Sequence, residues 1–531
     1  MPPIPISASS LCFAGILIAL AFCLFLSRRP HRPRPPLPPG PSTLPLIGNL
    51  LVFPRKHLHL KFSEWGKIYG DSFKLTVMNK TIIVINTPTL VHKLLDVKGS
   101  SSANRPRSII ADMIVPDNMD MATGRYANKT WKSLRRTAAH ALSSEMVRSR
   151  AEYHSAEATQ LINDFLHSPE FWFNHIRRST ISSALTIIYG KRGPSLESQD
   201  VAEFLQVHPQ YLDILDIGTA PPVDLFPFLT LVPKRWAKWK RTVEHIKHLH
   251  TLLYDRLLCN VENRISTGEE EKGALLEYAI HNKEKLGLHS RRHLLHLGGV
   301  LLQGSESCSA ALQNIIYALT LYPHFQERVQ REIDNVVGTD RTPTLEDIPK
   351  LKYMLAFIEE CNRFRPVGPL SIPHEMTRDE EVDGYLYPKG ATIFMNIWAI
   401  CHDERYFDKP NEFNPDRFLE NPYGIKNGIS DDPERRPNIL FGAGKRVCPG
   451  IPLARVTLEL NTAHLAWTFK FSPVIDQTGQ KISPSLNNYR DGVTASPKPT
   501  PIAITARSEI HREIIIKHMN NVQSILKVYE E

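Results

Sequence analysis

The sequence predicts a mainly α-helical protein with a smaller β region, preceded by one N-terminal transmembrane helix. Three features predict it: a long uncharged apolar run at the N-terminus, helical patterning through most of the body, and one short hairpin pattern near its start. With 42% hydrophobic and 22% charged residues, the 531-residue chain has enough apolar material for a large core and is not a disordered protein. Sixty-four basic against 55 acidic residues leave a net +9. That excess forms no Lys/Arg block, so it suits an anionic surface or an acidic protein partner and makes nucleic acid an unexpected target. Seven scattered cysteines make no disulfide framework and place the body in a reducing compartment.

Residues 4–26 carry no charge, and residues 11–26 are apolar throughout. A helix needs about 20 such residues to cross a bilayer core. A cleaved signal peptide would have basic residues before the run. Here Arg28, Arg29, Arg32 and Arg34 follow it, and the first acidic residue is Glu64. Basic residues on that side keep the body cytosolic. The expected organisation is an anchor at 1–27, a proline-rich hinge in extended polyproline geometry at 28–41, a catalytic domain at 42–507 and a C-terminal tail at 508–531. Within the body, residues 72–86 read as two strands joined at Asn79-Lys80. Residues 294–322 read as one long, central, buried helix. A shorter helix runs from Pro323 to Gly338, with proline at its start and glycine at its stop. Another covers residues 350–364.

The chemistry sits in Phe441-Gly-Ala-Gly-Lys-Arg-Val-Cys-Pro-Gly450. A lone cysteine is more often an inert buried thiol, but the neighbours of Cys448 argue otherwise. Gly442, Gly444 and Gly450 leave room for something flat and bulky against the backbone. Lys445 and Arg446 supply charge expected to lower the thiol pKa. A thiolate bound axially to haem iron pushes electron density toward the metal and favours O–O cleavage. The segment resembles the haem-binding loop of the cytochrome P-450 superfamily, whose spacing is met by Phe441, Gly444, Arg446, Cys448 and Gly450.

The resemblance covers residues 38–505 and implies the cytochrome P-450 fold, a helical prism around a buried haem b with Cys448 as axial iron ligand. Glu360 and Arg363, with Arg417, resemble the family's buried Glu–Arg–Arg triad. The same Glu-x-x-Arg spacing recurs at Glu145/Arg148, Glu375/Arg378 and Glu509/Arg512, so only position, shortly before Arg365-Pro366, selects the first pair. Trp131 and Arg135, four apart on one helix face, match the family's Trp-x-x-x-Arg. With His374 and Arg446 they are implied to hold the haem carboxylates.

Gln303-Gly-Ser-Glu-Ser-Cys308 resembles the family's oxygen-handling helix segment. Gly304 is implied to let the helix bulge for dioxygen, Glu306 to relay protons and Ser307 to hydrogen-bond the oxygen. Glycine and serine are weak helix formers, and a carboxylate in an apolar helix is costly unless used. Ser307 replaces the usual threonine and loses the methyl that restricts its rotamer. Gln303 replaces a small residue and either narrows the pocket or offers an amide to substrate.

In style the chain is most like fungal members that tailor secondary metabolites. The implied reaction is monooxygenation, by hydroxylation or epoxidation, of a small to mid-sized apolar substrate. Electrons are expected from NADPH through the flavoprotein NADPH-cytochrome P-450 reductase, docking near Lys445, Arg435 and Arg436, with cytochrome b5 as a second donor. The expected location is the endoplasmic reticulum membrane, single-pass, with a cytosolic catalytic domain. The alternatives are a reductase-independent haem-thiolate isomerase or dehydratase, against which Glu306 and Ser307 argue, and a haem carrier. Residues 101–120, 212–228, 297–303, 367–372 and 492–494 are expected to face substrate, while Phe226 and Phe228 either dip into the bilayer or pack on the domain.

Overall fold

The computed structural model describes residues 34–429, 439–485 and 487–530. The expected anchor at 1–27, and Arg435 and Arg436, lie outside the described residues. Among the described residues no helix is long and apolar enough to cross a membrane.

Helix α1 (Leu58–Tyr69) buries Leu58, Phe62 and Trp65 against the predicted hairpin, β1 (Ser72–Val77) and β2 (Lys80–Ile85). Val77 faces Lys80, so the turn falls at Met78-Asn79, one residue earlier than expected, with Met78 at φ 53°. Strands β3 (His374–Glu375) and β4 (Thr392–Met395) extend the sheet in the order β1-β2-β4-β3, β4 running parallel to β2. A second sheet is built on β5 (Phe469–Ile475), flanked by β6 (Lys481–Ile482) and β7 (Ile502–Ala506).

The rest is largely helical. Helix α2 (Lys129–Ala141) starts at Asn128, whose side chain accepts the Trp131 amide at 3.1 Å. Next come α3 (Ala151–His167), α4 (Trp172–Tyr189), α5 (Gln199–Leu215) and α6 (Lys238–Thr267). Nearly every residue of α4 is buried, which marks it as an interior helix. The expected helix at 294–322 is two helices, α7 (Arg291–Gln303) and α8 (Ser305–Leu321). The interruption is Gly304, whose amide bonds Leu301 O at 3.0 Å in a tighter turn, while its carbonyl takes the Ser307 hydroxyl at 2.8 Å. Apolar periodicity runs through the break, so the pattern read as continuous.

Helix α9 (Pro323–Val337) begins at Pro323 and stops before Gly338 at φ 82°, as expected. Helix α10 (Lys352–Phe364) matches the last predicted helix. Helix α11 (Ile451–Thr468) follows the cysteine loop. Within the segment expected as a C-terminal tail lies α12 (Glu509–Lys527). Ser508 caps it, Ile515 joins the core, and Val522 and Leu526 pack on Tyr153 and Ala156 of α3.

Among the described residues, the two largest apolar cores lie along the α7–α8 pair. One gathers α5, α6 and α7, with Leu294, Leu297 and Leu302 contributing. The other gathers α8 to α11, with Leu312, Ile315 and Leu319 contributing. The α7–α8 pair threads both, so its break at Gly304 falls between them.

Candidate active site

The cysteine loop is folded by its own backbone. The Cys448 amide donates to Phe441 O at 2.9 Å, and Gly444 N donates to Asp96 Oδ1 at 2.7 Å. Gly444 has φ 58°, and a Cβ there would lie 1.9 Å from Leu95 O, so only glycine lets the loop seat on the preceding chain. Gly450 opens α11 and points its N–H at Cys448 Sγ, 3.4 Å away. The Cys448 side chain is accessible, yet burial among protein atoms pushes its thiol up. Together these describe a sulfur facing an interior space rather than the outer surface.

Opposing effects come from the Gly450 N–H and Arg135, which pull the thiol down. This corrects the expectation for Lys445 and Arg446. Lys445 is exposed with its ammonium 5.3 Å from the Tyr126 ring, and Arg446 is turned onto the backbone and Trp131. Adjacency in sequence did not set direction in space.

The helix break meets the same interior. Gly304 and Ser307 are accessible although Leu302 and Ala310 beside them are 0% exposed. Cys308 senses the Cys448 charge, after burial the second cause that raises its thiol to about 12. Glu306 pairs with Arg177 of α4 at 3.3 Å, both partly buried. Gln303 donates its amide to Tyr254 Oη at 3.1 Å.

Basic side chains converge beside the loop. Arg446 Nε and Nη2 donate to Ala103 O and Gly124 O, both at 2.6 Å, and its guanidinium lies 3.9 Å from the Trp131 ring. Trp131 Nε1 donates to Met121 O at 3.1 Å. Arg135 donates to Val447 O, and His374 Nδ1 lies 2.8 Å from Ser102 O. Arg105, which the sequence reading missed, donates to Ala122 O, Ile372 O and Pro373 O. Nothing local marks Arg105; it reaches the cluster only through the fold.

Among the described residues, Arg105, Arg135 and Arg446 make no ion pair with a carboxylate, and Asp120 nearby is engaged by the Ala122 and Thr123 amides and Tyr211. Burial, then the mutual charge of the cluster, lowers Arg105, and burial with Arg135 takes Arg446 to about 9. Buried cations without counter-charge are costly unless an anion completes them. The cluster therefore suits a dianionic group lying against the Cys448 loop, and the two propionates of haem meet that requirement.

The triad is assembled as expected. Glu360 accepts from Arg363 Nε and Nη2 at 2.7 and 2.8 Å and from the Asn414 amide at 2.7 Å, and it forms an ion pair with Arg417, Nε lying 3.2 Å away. Its rivals differ: Glu509 and Arg512 are exposed at 3.8 Å, while Glu375 faces Arg125 and Arg378 faces Glu380.

The family model for cytochrome P-450 matches residues 38–502. The cytochrome P-450 monooxygenase yanC of Aspergillus niger is 33% identical over 527 residues, covering 97% of each chain. A cytochrome P-450 monooxygenase of Armillaria gallica is 35% identical over 528 residues, covering 99% of each. A zebra fish cytochrome P-450 solved with progesterone superposes with a TM-score of 0.68 at 25% identity, covering 85% of this chain and 99% of its own.

Proposed function

The chain belongs to the cytochrome P-450 family and is a monooxygenase of it; from that premise we propose a membrane-anchored, haem-thiolate enzyme that inserts one oxygen atom of dioxygen into a small organic substrate in secondary metabolism. The observation that carries this reading is the accessible sulfur of Cys448 inside the fold, beside an uncompensated group of buried cations and the break at Gly304. Haem b bound there supplies the dioxygen activation, with Cys448 as its thiolate ligand and Arg105, Trp131, Arg135, His374 and Arg446 holding its carboxylates. Phe441, Gly444 and Gly450 shape the loop under it. Ser307 holds a proton at Oγ and, by leaving Gly304 O, can turn it toward the interior. Glu306 can pass a proton only when Arg177 loosens its hold, so that pair sets the resupply. Electrons come from NADPH through a flavoprotein reductase. The test is reconstitution: oxygen uptake must require both NADPH and the reductase, and uptake without either one overturns the reading.

Ser307→Ala is expected to keep haem but uncouple the reaction. Product per NADPH falls at least about tenfold and hydrogen peroxide rises. Wild-type coupling in that variant would make the hydroxyl structural, a helix-bending bond to Gly304 O.

For location we propose the endoplasmic reticulum membrane, with residues 1–27 as the single span. Leu44, Leu46, Leu51 and Val52 are exposed in one segment, and Phe228, Leu231 and Trp236 in another. Exposed apolar side chains of this kind suit a bilayer surface. Deleting residues 1–27 is expected to release most protein from carbonate-washed membranes with its haem spectrum intact, leaving weak binding through these exposed apolar side chains. Complete retention would refute the single span.

A further inference from the structure

Unpartnered buried polar atoms gather beside the helix break at Gly304. Gln303 is the last residue of α7, four residues before Ser307 across the Gly304 break. Its amide nitrogen is bonded to Tyr254 Oη at 3.1 Å, and Tyr254 is 2% exposed, so the Gln303 side chain points inward. Among the described residues no donor reaches Gln303 Oε1, and no acceptor takes the Tyr254 hydroxyl proton. Tyr254 is held by the chain around it: its ring packs where a Cβ on Gly299 would lie 2.3 Å from it, and His250 stacks on it at 5.1 Å. Beside it, Tyr189 Oη and both ring nitrogens of His250 are buried without partners. Buried polar atoms are normally satisfied, so this group of them beside the half-buried Gln303 amide is a hydrogen-bonding subsite in waiting.

We propose that Gln303 and Tyr254 form a donor–acceptor pair that holds a hydroxyl group of the substrate. The substrate O–H donates to Gln303 Oε1 and its oxygen accepts from Tyr254 Oη–H. The substrate class is therefore a small alcohol or phenol rather than a plain hydrocarbon, which revises the apolar substrate expected from sequence. Four residues of helix rise separate the hook from Ser307, about 6 Å. The oxidised carbon then lies about that far from the held hydroxyl. This inference rests on the haem-thiolate reading above.

The test uses purified holoenzyme whose reduced CO spectrum is recorded first. Absence of the red-shifted Soret band there would be a failure of the haem-thiolate reading, not of this one. Matched probes that exchange hydroxyl for methyl, cyclohexanol against methylcyclohexane and cyclohexylmethanol against ethylcyclohexane, are then titrated optically and by calorimetry. The wild type is expected to bind each alcohol at least about tenfold more tightly than its partner, since a site built for a hydroxyl rejects the analogue lacking it. Gln303→Leu and Tyr254→Phe, each checked for an intact CO spectrum, are expected to abolish that ratio by weakening the alcohols alone. Equal binding of both probes by wild type, binding of neither, or an undiminished ratio in both variants would overturn the proposal.

Discussion

Cys448→Ala is expected to abolish the red-shifted Soret band of the reduced CO complex and to lower turnover by at least on the order of a thousandfold. The loss follows from what remains at that position. The loop would keep its shape, since the Cys448 amide to Phe441 O bond and the Gly444 seat on Leu95 involve only backbone. What disappears is the sulfur, with the Gly450 N–H and Arg135 charge that favour its anion. No neighbour can replace it. Cys308 is the nearest candidate, but burial raises its thiol to about 12, so it stays protonated near neutral pH. Cys308→Ala should therefore leave the band in place, and Cys308→Ala/Cys448→Ala should match Cys448→Ala alone. A folded Cys448→Ala protein with the unchanged band would remove the thiolate from the reading altogether.

Such features were legible because they are local. The loop carries its glycines and cysteine within ten residues, and Glu360 and Arg363 are one helical turn apart. The helix α12 was also legible: His511, Ile515, Val522 and Leu526 repeat at helical spacing behind a serine cap. Other features have no local trace. Arg105, Arg177 and Tyr254 stand in a loop and on two different helices, and reach the site only when those segments pack. Their types are common, and each is explained equally well as a surface or core residue until its neighbours are known. Charge assignment failed for a related reason. Lys445 and Arg446 are nearer Cys448 in sequence than Arg135, yet one faces outward and the other turns to Trp131. The Gly304 break was anticipated as chemistry but not as an end of a helix, because apolar residues continue on both sides of it.

Glu360→Gln is expected to destabilise the fold by about 3–5 kcal/mol, the cost of breaking a buried ion pair from one side. Glu360 is 0% exposed and serves two guanidiniums and the Asn414 amide. Glutamine keeps the volume but removes the only carboxylate those two arginines share at bonding distance among the described residues. Arg363 would retain its bonds to Cys401 O and Pro410 O, and Arg417 its bond to Asp408 O. Neutral carbonyls do not offset two buried positive charges. Since a domain's whole margin is about 5–15 kcal/mol, most Glu360→Gln protein should fail to reach the haem-loaded state. Chemical unfolding followed by intrinsic fluorescence, and haem per polypeptide after purification, both measure this. The decisive control has the same sequence spacing in a different environment. Glu509 and Arg512 also stand three apart on a helix but are solvent-exposed at 3.8 Å. Water screens that pair, so Glu509→Gln should change stability by no more than about 0.5 kcal/mol. If Glu360→Gln unfolds at the same denaturant concentration as Glu509→Gln, burial does not distinguish the two pairs, and the triad does not hold the fold around the site.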